Sequence, residues 1–287
     1  MSAAPTPAGM EFKKGFKIKP KEIQQTGRVI FTDGTNAVVP NQLACEAYGY
    51  KYDTLTGTCI SFIPTSKLDK QLKEPSNTIT GVSNKHEKGT SRSIINGTQN
   101  TTKGFNENCL VTGEKNEVQN NINNSLLVGK MGKVTHDSEF CIGGCGFNSE
   151  AGLLQYSVLQ VSGKTTDATD VDLYIEGAAN EILLPANSVT TYEIWLSGLV
   201  TGGSSGTAGD YETYEYHGTI RCGNTGTLTH NAKISRLLGR TGSLGTKTID
   251  TATAYTLKIQ ITGQANVNTS WHAVVKLHTN KTNAVTF

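Results

Sequence analysis

Long hydrophobic runs are missing from this 287-residue chain, and nothing in it approaches the ~20 consecutive apolar residues of a membrane-spanning helix. The opening residues, MSAAPTPAGM, have no apolar segment of the secretory kind. Folding in the cytoplasm of the producing cell, without membrane insertion, is the expectation. Charge is scarce, at 17% of residues, with a formal balance of +2. So small an excess gives no reason to expect a nucleic-acid partner. Low charge also argues against ordinary disorder. Six cysteines are too few over this length for a disulfide scaffold. Apolar patterns of helical period and useful length are lacking. So are phosphate-loop, nucleophile-elbow, zinc-protease and EF-hand motifs. His86, His136, His217, His230, His272 and His278 are scattered without ligand spacing. The expectation is therefore a non-enzyme with no catalytic residue, no metal and no cofactor.

What fills the chain instead is Gly, Thr, Ser and Asn. Gly and Asn tolerate positive φ and Thr suits a pleated surface, so this composition fits short strands joined by tight turns. An all-β chain in three parts is expected: residues 1–70, 71–150 and 151–287. The first part is read as irregular. Lys13, Lys14, Lys17, Lys19 and Lys21 crowd into it, as either a solvated arm or a peptide that orders against a larger partner. It ends in a small hairpin bounded by Cys45 and Cys59. Tyr48, Tyr50 and Tyr52 fall at strand period, residues 53–57 supply a turn, and a second strand runs from Thr58 to Ile63. The two cysteines are either free or bridged.

Residues 77–140 divide into four lines of sixteen: 77–92, 93–108, 109–124 and 125–140. Gly81, Gly97, Gly113 and Gly129 recur in register, as do Asn84, Asn100 and Asn116, with Gly132 in the fourth slot. Before each glycine stands a pair: Thr78/Ile79, Ile94/Ile95, Leu110/Val111 and Leu126/Leu127. Each line reads as a short apolar strand, a bend at glycine, and a second bend marked by Asn or Gly, residues tolerant of the left-handed region. One line buries almost nothing; stacked lines form a continuous column. Two apolar positions per line make a thin core. The expectation is that the pairs meet their equivalents from other chains around a threefold axis, a β-prism. A solenoid closed within one chain and a disordered Asn/Thr linker are the alternatives. A fifth line begins at Cys141-Ile-Gly-Gly and breaks down.

Residues 151–287 alternate strand patterns with turn clusters. Strands are expected over Leu153–Val161, Val171–Glu176, Val189–Leu199, Tyr211–Ile220, Tyr255–Ile261 and Trp271–Leu277, with Val171, Leu173 and Ile175 pointing inward. This punctuation indicates a β-sandwich of jelly-roll type.

The Gly81/Gly97/Gly113/Gly129 ladder and its apolar pairs resemble the head repeats of trimeric autotransporter adhesins and the Gly/Asn repeats of phage tail fibres. The segments Ile182–Val189, Tyr216–Ile220, Ile259–Gly263 and Thr269–Ala273 resemble a β-sandwich domain at the ends of phage tail and virion proteins. The Cys45–Cys59 segment is similar to short segments of phage virion proteins. These resemblances imply a structural virion appendage: a homotrimeric fibre, spike or head fibre. Its N-terminal arm would attach to other virion proteins, and its head would display a surface for a host glycan or protein. A polysaccharide-degrading tailspike with a site between subunits and a bacterial surface adhesin are the rival readings.

Chemistry is harder to place. Asp167, Asp170 and Asp172 read as a solvated turn ahead of a calcium loop. A glycan-cleaving site would need paired carboxylates, but sequence alone does not pair Glu176, Glu181, Glu193, Asp210, Glu212 or Glu215 in space. Cys141 and Cys145 read as a cap at the end of the repeat. Tyr211, Tyr214 and Tyr216 form a carbohydrate-stacking patch, core or interface, with Tyr216 assigned to core.

Overall fold

The structure is a computed structural model that describes residues 10–24, 27–54, 56–61, 77–145, 150–177, 179–284 and 286. The expected boundary at 70/71 and Ile63 lie outside the described residues. The chain divides into two compact units, Met1–Pro75 and Ser76–Phe287.

In the first unit, β1 (Lys19–Ile23), β2 (Val29–Thr32) and β3 (Ala37–Val38) form an antiparallel sheet in that order. A short helix α1 (Gln42–Ala47) follows, and then the hairpin β4 (Lys51–Asp53) and β5 (Thr58–Ile60). The helix corrects the strand reading at Cys45 and Tyr48. Asn41 accepts the Ala44 N–H through its side chain at 2.8 Å, a cap that starts a helix just after Pro40 and overrides the tyrosine period. Tyr48 ends the helix; its hydroxyl accepts the Lys13 N–H at 2.9 Å and donates to the Ile18 carbonyl at 3.0 Å. Phe16 and Ile18 thereby reach a core of Val29, Phe31, Cys45, Tyr48, Tyr50 and Cys59. The described part of this segment is folded, not irregular. Cys45 and Cys59 are joined by a disulfide with Cα atoms 5.7 Å apart. Closing a loop of fourteen residues restricts the unfolded chain by about 3 kcal/mol, a large share for so small a core.

The second unit opens as a β-solenoid of about four coils. Successive coils carry a long and a short strand: β6 (Thr78–Val82) and β7 (Lys85–His86), β8 (Ile94–Thr98) and β9 (Thr101–Thr102), β10 (Leu110–Glu114) and β11 (Glu117–Val118), β12 (Leu126–Lys130) and β13 (Lys133–Val134), then β14 (Phe140–Gly144). Long strands stack in parallel on long, short on short, and Ser91, Glu107 and Asn123 bridge along a third side. The register is the one read from the glycines: Gly81, Gly97, Gly113 and Gly129 lie opposite one another. The step from β12 to β14 is shorter, with Gly129 opposite Gly143. That step of fourteen residues explains why the sixteen-residue pattern fails at Cys141 although the ladder continues.

Each coil closes upon its own chain, which corrects the expectation that other copies must complete the core. In three of the four pairs the second member turns inward: Ile95, Val111 and Leu127 are fully buried, whereas Ile79 in the first coil is 38% exposed. Beside them the interior takes in Ser93, Cys109 and Ser125, then Thr102, Val118 and Val134, and Asn100, Asn106 and Asn116. Inward polar residues were invisible to a count of apolar positions. They are affordable because each is hydrogen-bonded.

The asparagines have a different role from the one read for them. The left-handed positions are their predecessors, Ser83, Gln99 and Lys115, at φ 57°, 58° and 56°. Asn84 Oδ1 accepts the Asn100 N–H at 2.9 Å, Asn100 Oδ1 the Asn116 N–H at 3.0 Å, and Asn116 Oδ1 the Gly132 N–H at 2.8 Å. Each amide also donates to the glycine carbonyl of the next coil, at 2.9, 2.9 and 3.0 Å. The result is a ladder of side chains cross-linking the corners. The glycine is required twice: Gly113 has φ 124°, and a Cβ there would lie 1.9 Å from the Gly129 oxygen.

The C-terminal part comprises β15 (Leu154–Thr165), β16 (Asp170–Asp172), β17 (Tyr174–Ile175), β18 (Ile182–Leu183), β19 (Ser188–Gly202), β20 (Tyr211–Cys222), β21 (Leu228–Arg240), β22 (Thr246–Asp250), β23 (Thr256–Thr262) and β24 (Asn268–Lys281). Strand β15 pairs antiparallel with β14, so the solenoid's long-strand sheet runs on as β15-β24-β19-β20-β21. A smaller sheet, β16-β23-β18 with β22 on β23, contributes Ile249, Leu257, Ile259 and Ile261 to a core shared with Leu159, Tyr192, Ile194, Trp271 and Val275 of the large sheet. The expected strand Val171–Glu176 is broken into β16 and β17, although Leu173 and Ile175 are buried as expected. Strands β21 and β22 had not been anticipated. β21 is an edge strand with most of its residues exposed, so it carries no alternating pattern.

Candidate functional site

The carboxylates that sequence left unplaced separate into two groups. Glu193 pairs with Lys276 at 3.2 Å, and Glu215 with His217 and Arg236. Glu212 is fully buried against Lys247, and it also accepts the Leu244 N–H at 2.8 Å and the Tyr214 hydroxyl at 3.0 Å. The Lys247 ammonium lies over the Tyr214 and Trp271 rings at 4.9 and 5.6 Å. These groups hold sheets together. Asp167, Asp170 and Asp172 likewise find partners within the chain: the Thr169 N–H at 2.9 Å, the Thr262 hydroxyl at 2.5 Å and Lys258 at 3.0 Å. Tyr216 is buried while Tyr211 is exposed. Cys141 lies inside the solenoid, where burial pushes its thiol up to about 12; Cys145 is exposed.

The second group, Glu176 and Glu181, is carried to the solenoid by the turn after β17. Tyr174 O accepts the Gly177 N–H at 3.1 Å, and Ile175 N–H reaches Asn180 O at 2.9 Å. Glu176 sits in this turn at φ 57°, a conformation that costs about 1–2 kcal/mol for a residue bearing a Cβ. The coil corners Ser83, Gln99 and Lys115 take the same conformation, so it is a turn geometry that recurs in this fold. Here the side chain is turned onto the third side of the solenoid, where Glu176 Oε1 accepts from the Ser138 hydroxyl and from Asn124 Nδ2 at 3.3 Å. Asp137 of the last coil accepts the Asn123 N–H at 2.7 Å and Asn180 Nδ2 at 3.1 Å. Glu181 faces Lys258 at 3.3 Å.

Two neighbouring clefts follow. One, of about 470 Å³, is lined by Gly89, Phe105, Glu107, Asn108, Asn123, Asn124 and Glu176. The other, of about 350 Å³, includes Asn121, Thr135, His136, Asp137, Asn180, Glu181 and Leu183. Between them they offer four carboxylates, a row of amides and an exposed phenyl ring at Phe105. Carboxylates and amides bond hydroxyls and a ring face packs on a sugar face, so the arrangement suits a carbohydrate. Asp137 and Glu107 drew no attention in the sequence. Only the coil register shows that they share a side with Asn123.

Behind this wall lies a third cavity of about 310 Å³, lined by Lys133, His136, Glu139, Gln155, Ser157, Leu184 and Lys281 among others. Glu139 is buried there. Burial alone would raise its carboxyl, but hydrogen bonds from His136, Ser157 and Thr135 outweigh burial and hold it below the ordinary glutamate value. Ser157 Oγ donates to Oε1 at 2.6 Å; the Thr135 and His136 N–H groups donate to Oε2 at 2.9 and 3.1 Å. His136 Nε2 accepts the Leu183 N–H at 2.9 Å, which leaves the ring proton on Nδ1, 3.2 Å from Glu139. The network ties the last coil to β15 and β18, and its hydrogen-bonding capacity is taken up within the chain.

No protein-family model matches the sequence, and no curated protein matches it. Solved structures similar to it are phage tailspikes. Tailspike gp49 of Acinetobacter baumannii bacteriophage Fri1, a capsular polysaccharide depolymerase, shares 11% identity at TM-score 0.29, over 74% of this chain and 38% of that one. The tailspike of Acinetobacter phage vB_ApiP_P1 shares 9% at TM-score 0.24, over 72% of this chain and 49% of its own. That of Acinetobacter baumannii phage AM24 shares 7% at TM-score 0.25, over 72% and 50%. The chain spans half or less of the length of each. The expectation of a non-enzyme is withdrawn, because Glu107, Asp137, Glu176 and Glu181 come together on one wall of the solenoid and one of these structures is a depolymerase. The reasoning behind that expectation was also too strong: carboxylates brought together from separate coils and turns leave no linear motif.

Proposed function

We propose that the chain is part of a phage tail appendage of the tailspike kind, which grips a host-surface polysaccharide in the paired clefts and cleaves it. One observation carries the reading: the turn after β17 delivers Glu176, with Glu181 following, onto the solenoid side that bears Asp137, Glu107 and Phe105. Glycosidic hydrolysis needs two carboxyl groups flanking the bond, one to protonate the leaving oxygen and one to activate water or to attack. Asp137, Glu176 and Glu181 are the groups assigned to that work, and the asparagines orient the sugar hydroxyls. In this reading the particle holds three copies, the first unit engages other virion proteins, and the C-terminal sheets form the β-sandwich head. Repetition of weak sites in the trimer multiplies the grip on a polymer.

The test is incubation of the purified chain with a panel of bacterial capsular polysaccharides, followed by polymer size and new reducing ends. Cleavage of at least one polymer is expected. Glu176→Gln, Glu181→Gln and Asp137→Asn should each preserve the circular dichroism spectrum, and at least one should slow cleavage by about 100-fold or more. Absence of both binding and cleavage across the panel refutes the reading, as does full activity in all three variants.

A further inference from the structure

The six cysteines divide by unit. In Ser76–Phe287, Cys109, Cys141 and Cys222 are buried thiols and Cys145 is an exposed one. Cys109 and Cys141 share the solenoid core with Ile95, Val111 and Leu127, and Cys222 shares the C-terminal core with Ile220 and Leu257. Such thiols act as small apolar side chains, so this unit needs no oxidation to fold. In Met1–Pro75 both cysteines, Cys45 and Cys59, are joined in one bridge. The bridge stands where this unit is thinnest. Helix α1 has six residues, too few to persist alone. It is held by Cys45 in its interior, by the hydroxyl of Tyr48 at its end, and by Lys13 on the Ala47 carbonyl. The hairpin has three residues in each strand and meets the β1-β2-β3 sheet where Arg28 bridges Ile60 and the Ser61 N–H reaches Gly27 O at 2.9 Å. Of the buried core residues Val29, Phe31, Cys45, Tyr48, Tyr50 and Cys59, two are the bridge itself.

From this arrangement we infer that the bridge is a redox latch: the first unit folds only when Cys45 and Cys59 are oxidised, whereas Ser76–Phe287 folds in either redox state. Without the bridge the unfolded first unit regains loop freedom equivalent to about a hundred-fold in the folding equilibrium, and its core is too small to make that up. Where glutathione keeps thiols reduced, the coils and C-terminal sheets form while the first unit stays open. Closing the latch takes a small disulfide such as oxidised glutathione. One cysteine thiolate attacks it and releases a glutathione thiol; the second cysteine thiolate attacks the mixed disulfide and releases the other. The glutathione S–S bond is broken, the Cys45–Cys59 bond is made, and two electrons and two protons pass from the protein to two glutathione molecules. Once closed, the latch guards itself. Both cysteines are fully buried, so an incoming thiolate has no line of attack on either sulfur until the unit opens. Any surface that the first unit presents to another protein therefore exists only after oxidation and then persists. The latch operates whether or not the clefts cleave a polysaccharide.

Limited trypsin digestion tests this on the full chain, comparing wild type with the Cys45→Ala, Cys59→Ala variant. Cleavage between Phe12 and Ile60 should be faster in the variant by about ten-fold or more, while Ser76–Phe287 survives as it does in wild type. Should the variant fail to express, wild type refolded from urea with reduced glutathione replaces it; its first unit should stay sensitive until oxidised glutathione is added. Dithiothreitol, read by alkylation and mass spectrometry of the Cys45 and Cys59 peptides, should open the bridge at least about ten-fold more slowly in native buffer than in urea that unfolds the chain. A first unit as resistant without the bridge as with it overturns the inference. So does a Ser76–Phe287 that loses its resistance in the variant, and equal reduction rates in the two solvents refute the self-guarding.

Discussion

Replacing Asn100 with alanine should be among the most damaging single changes in the solenoid. Asn100 is fully buried. Its Oδ1 accepts the Asn116 N–H at 3.0 Å, and its amide donates to Gly113 O and Asn96 O at 2.9 Å each. Alanine leaves a buried N–H without its partner, at about 1–3 kcal/mol, and takes one bond from each of two carbonyls, at about 1 kcal/mol apiece. The expected loss is roughly 3–5 kcal/mol. Asn84 makes the equivalent contacts but is half-exposed in the first coil, where water can substitute; Asn84→Ala should lose less than half as much. Urea unfolding followed by circular dichroism gives both values. Hydrogen exchange at the Asn116 amide reports the lost bond directly and should accelerate in Asn100→Ala. Equal losses in the two variants, or a loss below about 1 kcal/mol in Asn100→Ala, would refute the claim that the asparagine ladder supports the coil.

Two further outcomes test the fold. Glu139 has its carboxyl held below the ordinary value of 4.5 in the folded chain, so its contribution to stability is complete above that value and disappears as pH falls through the lower folded one. The urea midpoint of the wild type should therefore drop below about pH 4.5, and Glu139→Gln should flatten that acid limb while lowering stability at neutral pH. Gly113→Ala places a methyl against the Gly129 carbonyl at a left-handed position. It should destabilise the solenoid by more than the ~1 kcal/mol of a tolerated positive φ and lower the thermal midpoint measurably, whereas an unchanged midpoint would mean that the coils part to admit it.

Much of the solenoid was legible because backbone geometry demanded glycine at one point in every coil, and that demand leaves an exact spacing in the sequence. The coil's closure was not legible. Its interior is partly Ser, Thr, Asn and Cys, residues that look like surface until their hydrogen bonds are seen. Asn100 illustrates the error: it reads as a turn residue, but Gln99 beside it takes the left-handed conformation. In the C-terminal part, strands buried on one face showed their alternation, as Leu257, Ile259 and Ile261 do, whereas the exposed edge strand Leu228–Arg240 has no inside face to announce. The candidate site was least visible. Glu176, Glu181 and Asp137 come from a turn, a short link and a coil corner, and only the fold brings them to one wall.

Because β14 is at once the last rung of the coil and the neighbour of β15, the solenoid and the C-terminal part share a single run of hydrogen bonds. A tug on the far sheet would pass into the coils through the hydrogen bonds between β14 and β15 acting side by side, not as bending at a linker. Ser76–Phe287 should answer a stretching force as one stiff body, giving way in one large rupture instead of two small ones.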